Sequence, residues 1–330
     1  MLSAKLDDYW LGLRLKQIDV PASHLLVSGA TVNLESELPK IDEALETYLD
    51  IKGRGKSKQF FNHARRSMKY LTDCLGVRSL DQYTSADAAK LRDFFVAKGL
   101  ALASIRRNFG SIKAVINFII LEQGLNCSNP FNGVYLYSDT TSVKRKPVSI
   151  KNVKAIQAEC RMLDDDLRHL VALISDTGMR LSEATGLMTS DINIDSQYPH
   201  ISIKPHPHRQ LKTMSSQRIV PLVGQSLWAA KRVIENAKSV YCFPRYTNES
   251  GCNANSASAA INKWIKTVAS SDCVIHGLRH SFRDRLRAVE APLEVIDQLG
   301  GWSMRTVGQG YGDGYQLEIL NKWINMIVIH

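Results

Sequence analysis

One long segment of the sequence carries apolar residues at a strict helical spacing. In ASIRRNFGSIKAVINFIILEQG, residues 103–124, they recur every three or four positions, at Ile105, Phe109, Ile112, Ile116 and Ile119. This period predicts one apolar stripe along a helix, with Ser104 as its N-cap and Gly124 as its end. Similar patterns run from Leu38 to about Gly133, so we predict a helical domain over residues 38–137.

A polar, basic stretch separates this region from a second pattern. Residues 138–149, SDTTSVKRKPVS, have no apolar period and contain Pro147, which is typical of an interdomain linker. Beyond it the pattern predicts helices near 150–160 and 165–177, a short helix after Arg180, strands near 191–194, 200–204 and 217–222, and then helices to the end. We therefore expect a mainly α fold with a small antiparallel β-sheet (α+β), in which residues 150–330 form the second domain.

The positive charge is concentrated in the helical region. Between Lys52 and Lys113 the sequence has fourteen Lys and Arg against four Asp, an excess of +10 that equals the formal net charge of the whole chain. In the rest of the chain, the numbers of Lys and Arg equal those of Asp and Glu. A basic module joined to a near-neutral one indicates a polyanionic partner that docks on the first domain.

Several classes of protein are disfavoured by the rest of the composition. Residues 1–37 are not cationic, and we assign this extension no function; Asp7 and Asp8 interrupt any signal peptide, and no apolar run is long enough to span a bilayer. We expect a cytoplasmic protein, at the bacterial nucleoid. The six cysteines form no C-x-x-C pair, which favours reduced, mostly buried thiols and no metal site. His206 and His208, in PHPHRQ, supply too few ligands for a metal, and we interpret them as hairpin structure.

The second domain contains an ordered series of polar motifs. They are DTGMRLSEATGL with Arg180 and Glu183, RQLKTMSSQRIVPL with Lys212, HGLRHSF with His276, Arg279 and His280, and LGGWSMRTVGQGY with Trp302 and Tyr311. Each motif alone occurs by chance in many proteins. Their order and their predicted placement on helix, hairpin and helix are the specific signal.

Together these motifs resemble the phage integrase family of tyrosine recombinases. The resemblance covers about 150–315 by motif and about 40–130 by pattern only. It implies a site-specific DNA recombinase that integrates or excises a phage or genomic island through a 3′-phosphotyrosyl intermediate. Tyr311, nine residues after Trp302, would be the nucleophile, and Tyr315 is its rival. Many members have Leu-Gly-His where this chain has Leu-Gly-Gly-Trp, so we align Trp302 with that histidine.

The chemistry of phosphodiester cleavage explains the residue types. Without a metal, the charge that develops on the nonbridging oxygens must meet fixed cations, and the planar guanidinium forks of Arg180 and Arg279 suit this task. Lys212 can protonate the leaving 5′ oxygen, and His276 can assist proton transfer or brace the phosphate. Trp302 can donate an indole N–H but cannot carry a proton. Glu183 would orient an active-site group, and His280 would pack behind it.

Basic side chains of the first domain are candidates for phosphate contacts, whose affinity comes from counterion release. Arg106 and Lys113 share one face of the long helix, although a solvated surface helix would show the same spacing. The remaining candidates are Lys56, Lys58, Arg65, Arg66, Lys69 and Arg107.

The expected partner is double-stranded DNA, clamped by the two domains from opposite sides, with no cofactor and no membrane. The resemblance further implies a homotetramer on DNA and leaves room for an accessory DNA-bending or directionality protein. The apolar face of Leu317, Leu320, Ile324 and Ile327 packs either on its own domain or on a neighbouring protomer. Three other functions stay open: a type IB topoisomerase-like enzyme, a metal-dependent nuclease, and a DNA-binding protein that has lost catalysis.

Overall fold

A computed structural model describes residues 38–137, 146–302 and 314–329. The chain divides into two units, Met1–Ser142 and Val143–His330. The extension of residues 1–37, most of the predicted linker and the proposed nucleophile Tyr311 lie outside the described residues.

The described part of unit 1 is built from helices around one apolar core. They are α1 (Ile41–Lys52), α2 (Lys58–Leu75), α3 (Ser85–Ala97) and α4 (Leu102–Glu122). Helix α4 packs against both α1 and α2, and α3 packs against α2. The basic α2 is therefore held on α4, the helix with the strict apolar stripe.

The apolar stripe of α4 is confirmed, because its five predicted members are all buried. Ser104 is not the N-cap, however. The helix begins at Leu102 after Ala101, and the backbone amides of Ser104 and Ile105 already donate to the Ala101 carbonyl. Gly124 stands just beyond the C-cap with φ of 61°, a left-handed conformation that favours glycine and ends the helix.

Unit 2 is mostly helical, which confirms the predicted class. Its helices are α5 (Ile150–Leu163), α6 (Asp166–Thr177), α7 (Leu181–Thr185), α8 (Gly224–Glu235), α9 (Ala254–Val268), α10 (Ile275–Ala288), α11 (Leu293–Gly300) and α12 (Leu317–Asn325). The central helix is α6, of which every residue from His169 to Thr177 is buried. Its C-terminal end leads directly to Arg180, so the core fixes the start of the first motif.

An antiparallel sheet lies between α7 and α8 in the chain. Its order is β1 (Ile192–Asn193), β2 (His200–Ile203) and β3 (Arg218–Pro221), with Ile201 paired to both Ile192 and Val220. The expectation of helices alone after the sheet was wrong, because β4 (Thr247–Asn248) and β5 (Gly251–Cys252) form a short hairpin. These strands are only two residues long, too short to show an alternating pattern.

The C-terminal helix α12 packs on unit 2 itself, against β3 and α11. Leu320, Ile324 and Ile327 are buried in the unit 2 core. The buried Arg285 donates a hydrogen bond of 3.0 Å to the Ile327 carbonyl and one of 2.9 Å to Asp176. Of the two arrangements expected for this segment, packing on its own domain is the one observed.

The six cysteines are free. Cys160, Cys242 and Cys273 are buried, and the other three are half-buried. Burial raises the pKa of the Cys160 and Cys242 thiols, which keeps them protonated and unreactive. Among the helices of the described ranges, none combines the length and apolar character needed to cross a bilayer.

Candidate active site

Arg180 stands at the N-cap of the short helix α7. The turn before it requires Gly178, which has φ of 61° and lies so close to Phe282 that a Cβ would come within 2.3 Å of the ring. The Arg180 guanidinium donates through Nη1 to Ser216 Oγ over 2.9 Å and through Nη2 to the Gly301 carbonyl over 3.2 Å. Its side chain thus joins the first motif to the segment after Lys212 and to the turn before Trp302.

Glu183 holds Arg180 from the next turn of the chain. Its Oε1 accepts a 2.6 Å hydrogen bond from Arg180 Nη1, and its Oε2 accepts a 2.9 Å bond from the Arg180 backbone amide. Burial raises the pKa of Glu183, but the charge of Arg218 and the hydrogen bonds from Arg218 and Arg180 outweigh this effect and hold the pKa below its ordinary value. Glu183 is therefore an ionised, buried carboxylate with two arginine partners.

Arg279 lies inside helix α10 and is 4% exposed. Its Nη1 donates to the Gly178 carbonyl over 2.5 Å, and its Nη2 donates to the Gly300 carbonyl over 2.7 Å. Arg180 and Arg279 thus bond to adjacent carbonyls of one turn, Gly300 and Gly301. This turn brings the first and third motifs together.

Arg218, at the start of β3, is a site residue that sequence reasoning missed. It donates to Glu183 Oε2 over 3.0 Å, to the Ser216 carbonyl over 2.7 Å and to the Leu299 carbonyl over 2.8 Å. The side chain is 3% exposed. The available signal was an arginine directly before the apolar run IVPL, a position where a buried charge needs a partner.

Arg180 and Arg218 therefore bond to one carboxylate, and the charge of Arg279 interacts with the same carboxylate. Burial, followed by the positive charges of Arg218 and Arg180, lowers the pKa of Arg279 to about 9. At neutral pH it still carries its proton. The local excess of positive charge within a water-poor site favours the entry of an anion, because an anion would relieve the repulsion among the arginines.

The Trp302 ring contacts two guanidinium groups. The guanidinium carbons of Arg279 and Arg283 are 4.4 Å and 4.5 Å from the centre of its ring. The Trp302 backbone amide donates to the Asp297 carbonyl over 3.0 Å, and Arg283 donates to the Asp297 carboxylate over 3.0 Å. Trp302 is thus fixed beside Arg279.

Lys212 and the two motif histidines are more exposed. Lys212 lies in the bend between β2 and β3 and makes no hydrogen bond or ion pair with the residues that the structure describes. His276 is exposed in the first turn of α10, and its ring centre is 4.9 Å from that of His280. The structure thus brings Arg180, Glu183, Arg279 and Trp302 together and leaves Lys212 on a separate loop.

Tyr315, the rival nucleophile, is described and borders a cavity. Gln298 holds it through two hydrogen bonds, one of 2.8 Å from the Tyr315 amide and one of 3.0 Å to its carbonyl. The cavity has a volume of about 480 Å³ and is also lined by Arg218 and Trp302. Tyr311 lies outside the described residues.

His206 and His208 fall in the turn after β2, as hairpin structure. Within the described ranges, no group of three or more His, Cys, Asp and Glu side chains is arranged to hold a metal ion.

In unit 1, a groove of about 770 Å³ lies between α2 and α4. Arg66 and Arg107 line it from the two helices, beside His63 and Ser57. Burial, followed by Arg107 and Arg66, lowers the pKa of His63, which keeps its ring neutral at neutral pH. Two of the predicted DNA-binding residues therefore converge on one polar groove.

The other predicted DNA-binding residues lie outside the lining of this groove. Arg65 pairs with Glu46 at 2.8 Å, and Lys69 pairs with Asp73 at 3.0 Å. Arg106 donates to the Tyr137 carbonyl over 2.9 Å. The remaining three are Lys56 and Lys58, exposed on either side of Ser57, and the half-buried Lys113.

Residues 148–316 match the phage integrase family. Tyrosine recombinase XerC of Actinobacillus succinogenes is 24% identical over 291 residues, which cover 82% of this chain and 92% of that protein. Tyrosine recombinase XerD of Corynebacterium glutamicum is 26% identical over 281 residues, 78% of this chain and 88% of that protein. The transposase from transposon Tn916 of Enterococcus faecalis is 26% identical over 191 residues, 52% of this chain and 46% of that protein.

Solved structures share the fold. The Tn1549 transposon integrase in complex with transposon right end DNA has a TM-score of 0.62 at 19% identity, over 86% of this chain and 98% of that one. A lambda integrase tetramer bound to a Holliday junction has a TM-score of 0.63 at 16% identity, over 84% of this chain and 79% of that one.

Proposed function

Because this chain belongs to the phage integrase family and is therefore a tyrosine recombinase that cuts and rejoins DNA, we propose a role in this reaction for each residue of its site. The observation that carries the proposal is the cluster of Arg180, Arg218 and Arg279 near the carboxylate of Glu183, which bonds to the first two. A DNA phosphate is the anion that this excess of charge would receive.

Arg180 and Arg279 bind the nonbridging oxygens of the scissile phosphate. Both guanidiniums are oriented by bonds to the Gly300–Gly301 turn and need little reorganisation when charge develops. By analogy with other preorganised donors, each is worth roughly 100- to 1000-fold in rate. Glu183 keeps Arg180 in place and does no chemistry itself.

In the cleavage step, the Tyr311 oxygen bonds to phosphorus and the bond from phosphorus to the 5′ oxygen breaks. His276 accepts the phenolic proton, and the Lys212 ammonium gives a proton to the leaving oxygen. The products are a 3′-phosphotyrosyl link and a free 5′ hydroxyl. Attack by another 5′ hydroxyl reverses these transfers, so rejoining needs no external energy source.

The groove between α2 and α4 is the DNA-docking face of the helical domain, residues 38–137. Arg66 and Arg107 supply two cations whose guanidiniums are available to phosphates, while His63 supplies a neutral ring that can donate or accept a hydrogen bond. Arg65 and Lys69 contribute less, because each already pairs with a carboxylate.

The biological setting is the transfer of a mobile element in the bacterial nucleoid. Similarity to the Tn916 transposase and to the fold of the Tn1549 integrase supports this setting. A homotetramer on DNA is supported by the shared fold with lambda integrase, which was solved as a tetramer on a Holliday junction. An accessory DNA-bending or directionality protein stays a prediction.

A nicked suicide DNA substrate tests the proposed chemistry, because loss of the short cleaved fragment traps the covalent complex. Without Mg²⁺, the wild-type protein should form a protein–DNA adduct that denaturing electrophoresis resolves. Tyr311→Phe removes the nucleophilic oxygen and should abolish the adduct, whereas Tyr315→Phe should keep it. Adduct formation by Tyr311→Phe together with its loss in Tyr315→Phe would move the nucleophile to Tyr315.

A further inference from the structure

The segment that leads to Lys212 is closed into a turn directly after β2, with His206 and Arg209 buried. His206 Nε2 donates to Asp191 Oδ2 over 2.8 Å, and Lys204 Nζ lies 3.3 Å from Asp191 Oδ1. The backbones of His206 and Arg209 exchange two hydrogen bonds of 3.0 Å. Asp191 is 1% exposed and His206 is 9% exposed. This turn is therefore a rigid base for the loop beyond it.

His208 fastens this turn to the arginine motif. Its ring stacks on that of His206, with centres 5.1 Å apart and planes 9° apart, and it meets the ring of Tyr241 edge-on at 5.1 Å. Its Nε2 donates to the Gly186 carbonyl over 3.0 Å. Gly186 is the C-cap of α7, and Arg180 is the N-cap of the same five-residue helix. The turn and Arg180 are thus attached to opposite ends of the same short helix, α7.

Arg209 packs on the same glycine. A Cβ at Gly186 would lie 2.7 Å from the Arg209 side chain, so only glycine lets the arginine pass. Arg209 is 4% exposed and donates to the Lys204 carbonyl over 3.0 Å. At the other end of the loop, Ser216 Oγ accepts the 2.9 Å bond from Arg180. Both ends of the Lys212 loop are therefore tied to the helix that carries Arg180.

We propose that His206, His208 and Arg209, together called the histidine clasp, position Lys212 for delivery of its proton to the leaving 5′ oxygen. This inference rests on the proposed function, in which Lys212 is the proton donor. Lys212 lies only three positions after Arg209, which confines the Lys212 Cα to within about 10 Å of the Arg209 Cα. A loosened clasp lets Arg209, and Lys212 with it, move relative to Arg180, which lowers the fraction of complexes in which the ammonium meets the leaving oxygen.

A change of leaving atom isolates the step in which Lys212 acts. When sulfur replaces the bridging 5′ oxygen, the leaving group departs as a thiolate without a proton, because a thiol has a pKa of roughly 8.5 whereas that of water is about 15.7. A defect in proton delivery therefore disappears on the sulfur substrate. A defect in phosphate binding or folding does not.

The experiment measures adduct formation in single turnovers at saturating protein, on the oxygen and the sulfur substrates. On the oxygen substrate, Lys212→Ala should form the adduct about 10²- to 10⁴-fold more slowly than wild type. On the sulfur substrate, its rate should recover. His208→Ala and His206→Asn should form the adduct about 10- to 100-fold more slowly on the oxygen substrate, and their rates should recover on the sulfur substrate. His200→Ala is the matched control, since His200 lies at the far end of β2 and bonds to the Tyr198 carbonyl; it should match wild type on both substrates.

The outcomes separate the inference from the proposed function. If Lys212→Ala stays slow on sulfur, the assignment of Lys212 as proton donor fails. If Lys212→Ala recovers but His208→Ala stays slow on sulfur, the clasp is only structural and the inference is overturned. Wild-type rates for His208→Ala and His206→Asn on oxygen would overturn it as well. His208 is half-buried and makes no contact with Asp191 among its described bonds, so its variant tests the clasp even if His206→Asn unfolds.

Discussion

Arg218 donates a 3.0 Å hydrogen bond to Glu183 in a pair whose two side chains are each 3% exposed. The pair lies under Arg180 and beside the turn that leads to Trp302. Because neither partner reaches water, the loss of one leaves the charge of the other without its main compensation.

We therefore expect Arg218→Met to lower the free energy of unfolding by about 3–5 kcal/mol, the usual cost of breaking a buried pair from one side. Urea denaturation measures the change. The double variant Arg218→Met with Glu183→Gln removes both charges and should recover part of the loss. A double variant less stable than Arg218→Met alone would contradict this account of the pair.

The pH dependence of stability should contain a contribution from Glu183. Its pKa in the folded protein lies below the ordinary 4.5, so its stabilising effect is complete above pH 4.5 and is lost as the pH falls through the folded-state value. Across that window the contribution falls by at most about 1.4 kcal/mol per pH unit.

The free energy of unfolding, measured with urea between pH 3 and pH 7, should therefore fall less steeply towards acid pH for Glu183→Gln than for wild type. Glu249→Gln, at an exposed position, serves as the control and should follow the wild-type slope. Equal acid slopes for all three proteins would show that Glu183 is not held ionised by its arginines.

The rate of adduct formation should depend more on the stacking of the Trp302 ring than on its indole N–H. Trp302→Phe keeps an aromatic ring beside Arg279 and Arg283, whereas Trp302→Leu removes a cation–π contact worth about 2 kcal/mol when desolvated. On this basis Trp302→Leu should slow adduct formation roughly 30-fold, and Trp302→Phe should stay near wild type. Trp228→Leu, which removes a stack on Arg161, is the control. Equal losses in Trp302→Phe and Trp302→Leu would assign the effect to the N–H.

Binding to duplex DNA should identify the docking face of unit 1. Each phosphate contact contributes about 0.9 to the slope of log affinity against log salt, so Arg66→Ala with Arg107→Ala should reduce that slope by about 1.8. Arg65→Ala with Lys69→Ala should change it less, since both side chains are paired with carboxylates. The double variant of Arg106 and Lys113 tests the other face of α4. A larger change of the slope for the Arg106 and Lys113 variant would place the docking face on that side of α4 and not at the groove.

Motif residues could be predicted from the sequence because their spacing is local. Arg180 and Glu183 are three positions apart at the start of one helix, and the apolar stripe of α4 needs only its own period. Arg218 could not be found in this way. Its partners Glu183 and Leu299 are 35 and 81 positions distant, on α7 and α11, and only the tertiary packing of these helices near β3 brings them together.

The basic residues of unit 1 show the same limit. Arg65 and Arg66 are adjacent in sequence, but one pairs with Glu46 and the other lines the groove. Charge count alone treats them equally, whereas the phase of α2 against α4 distinguishes them. Ser104 was misplaced as a cap because its amide already bonds within the helix, a fact of backbone geometry that its residue type does not reveal.

The packing of α12 against β3 has a consequence for the order in which a working enzyme is made. The ribosome completes Arg180, Lys212 and Arg279 well before Leu317 emerges. Until then Leu320 and Ile324 are missing from the core. The strand β3, which begins at Arg218, is not yet packed against α12. A chain that ends before Leu317 would therefore lack part of the packing that orders β3 and Arg218.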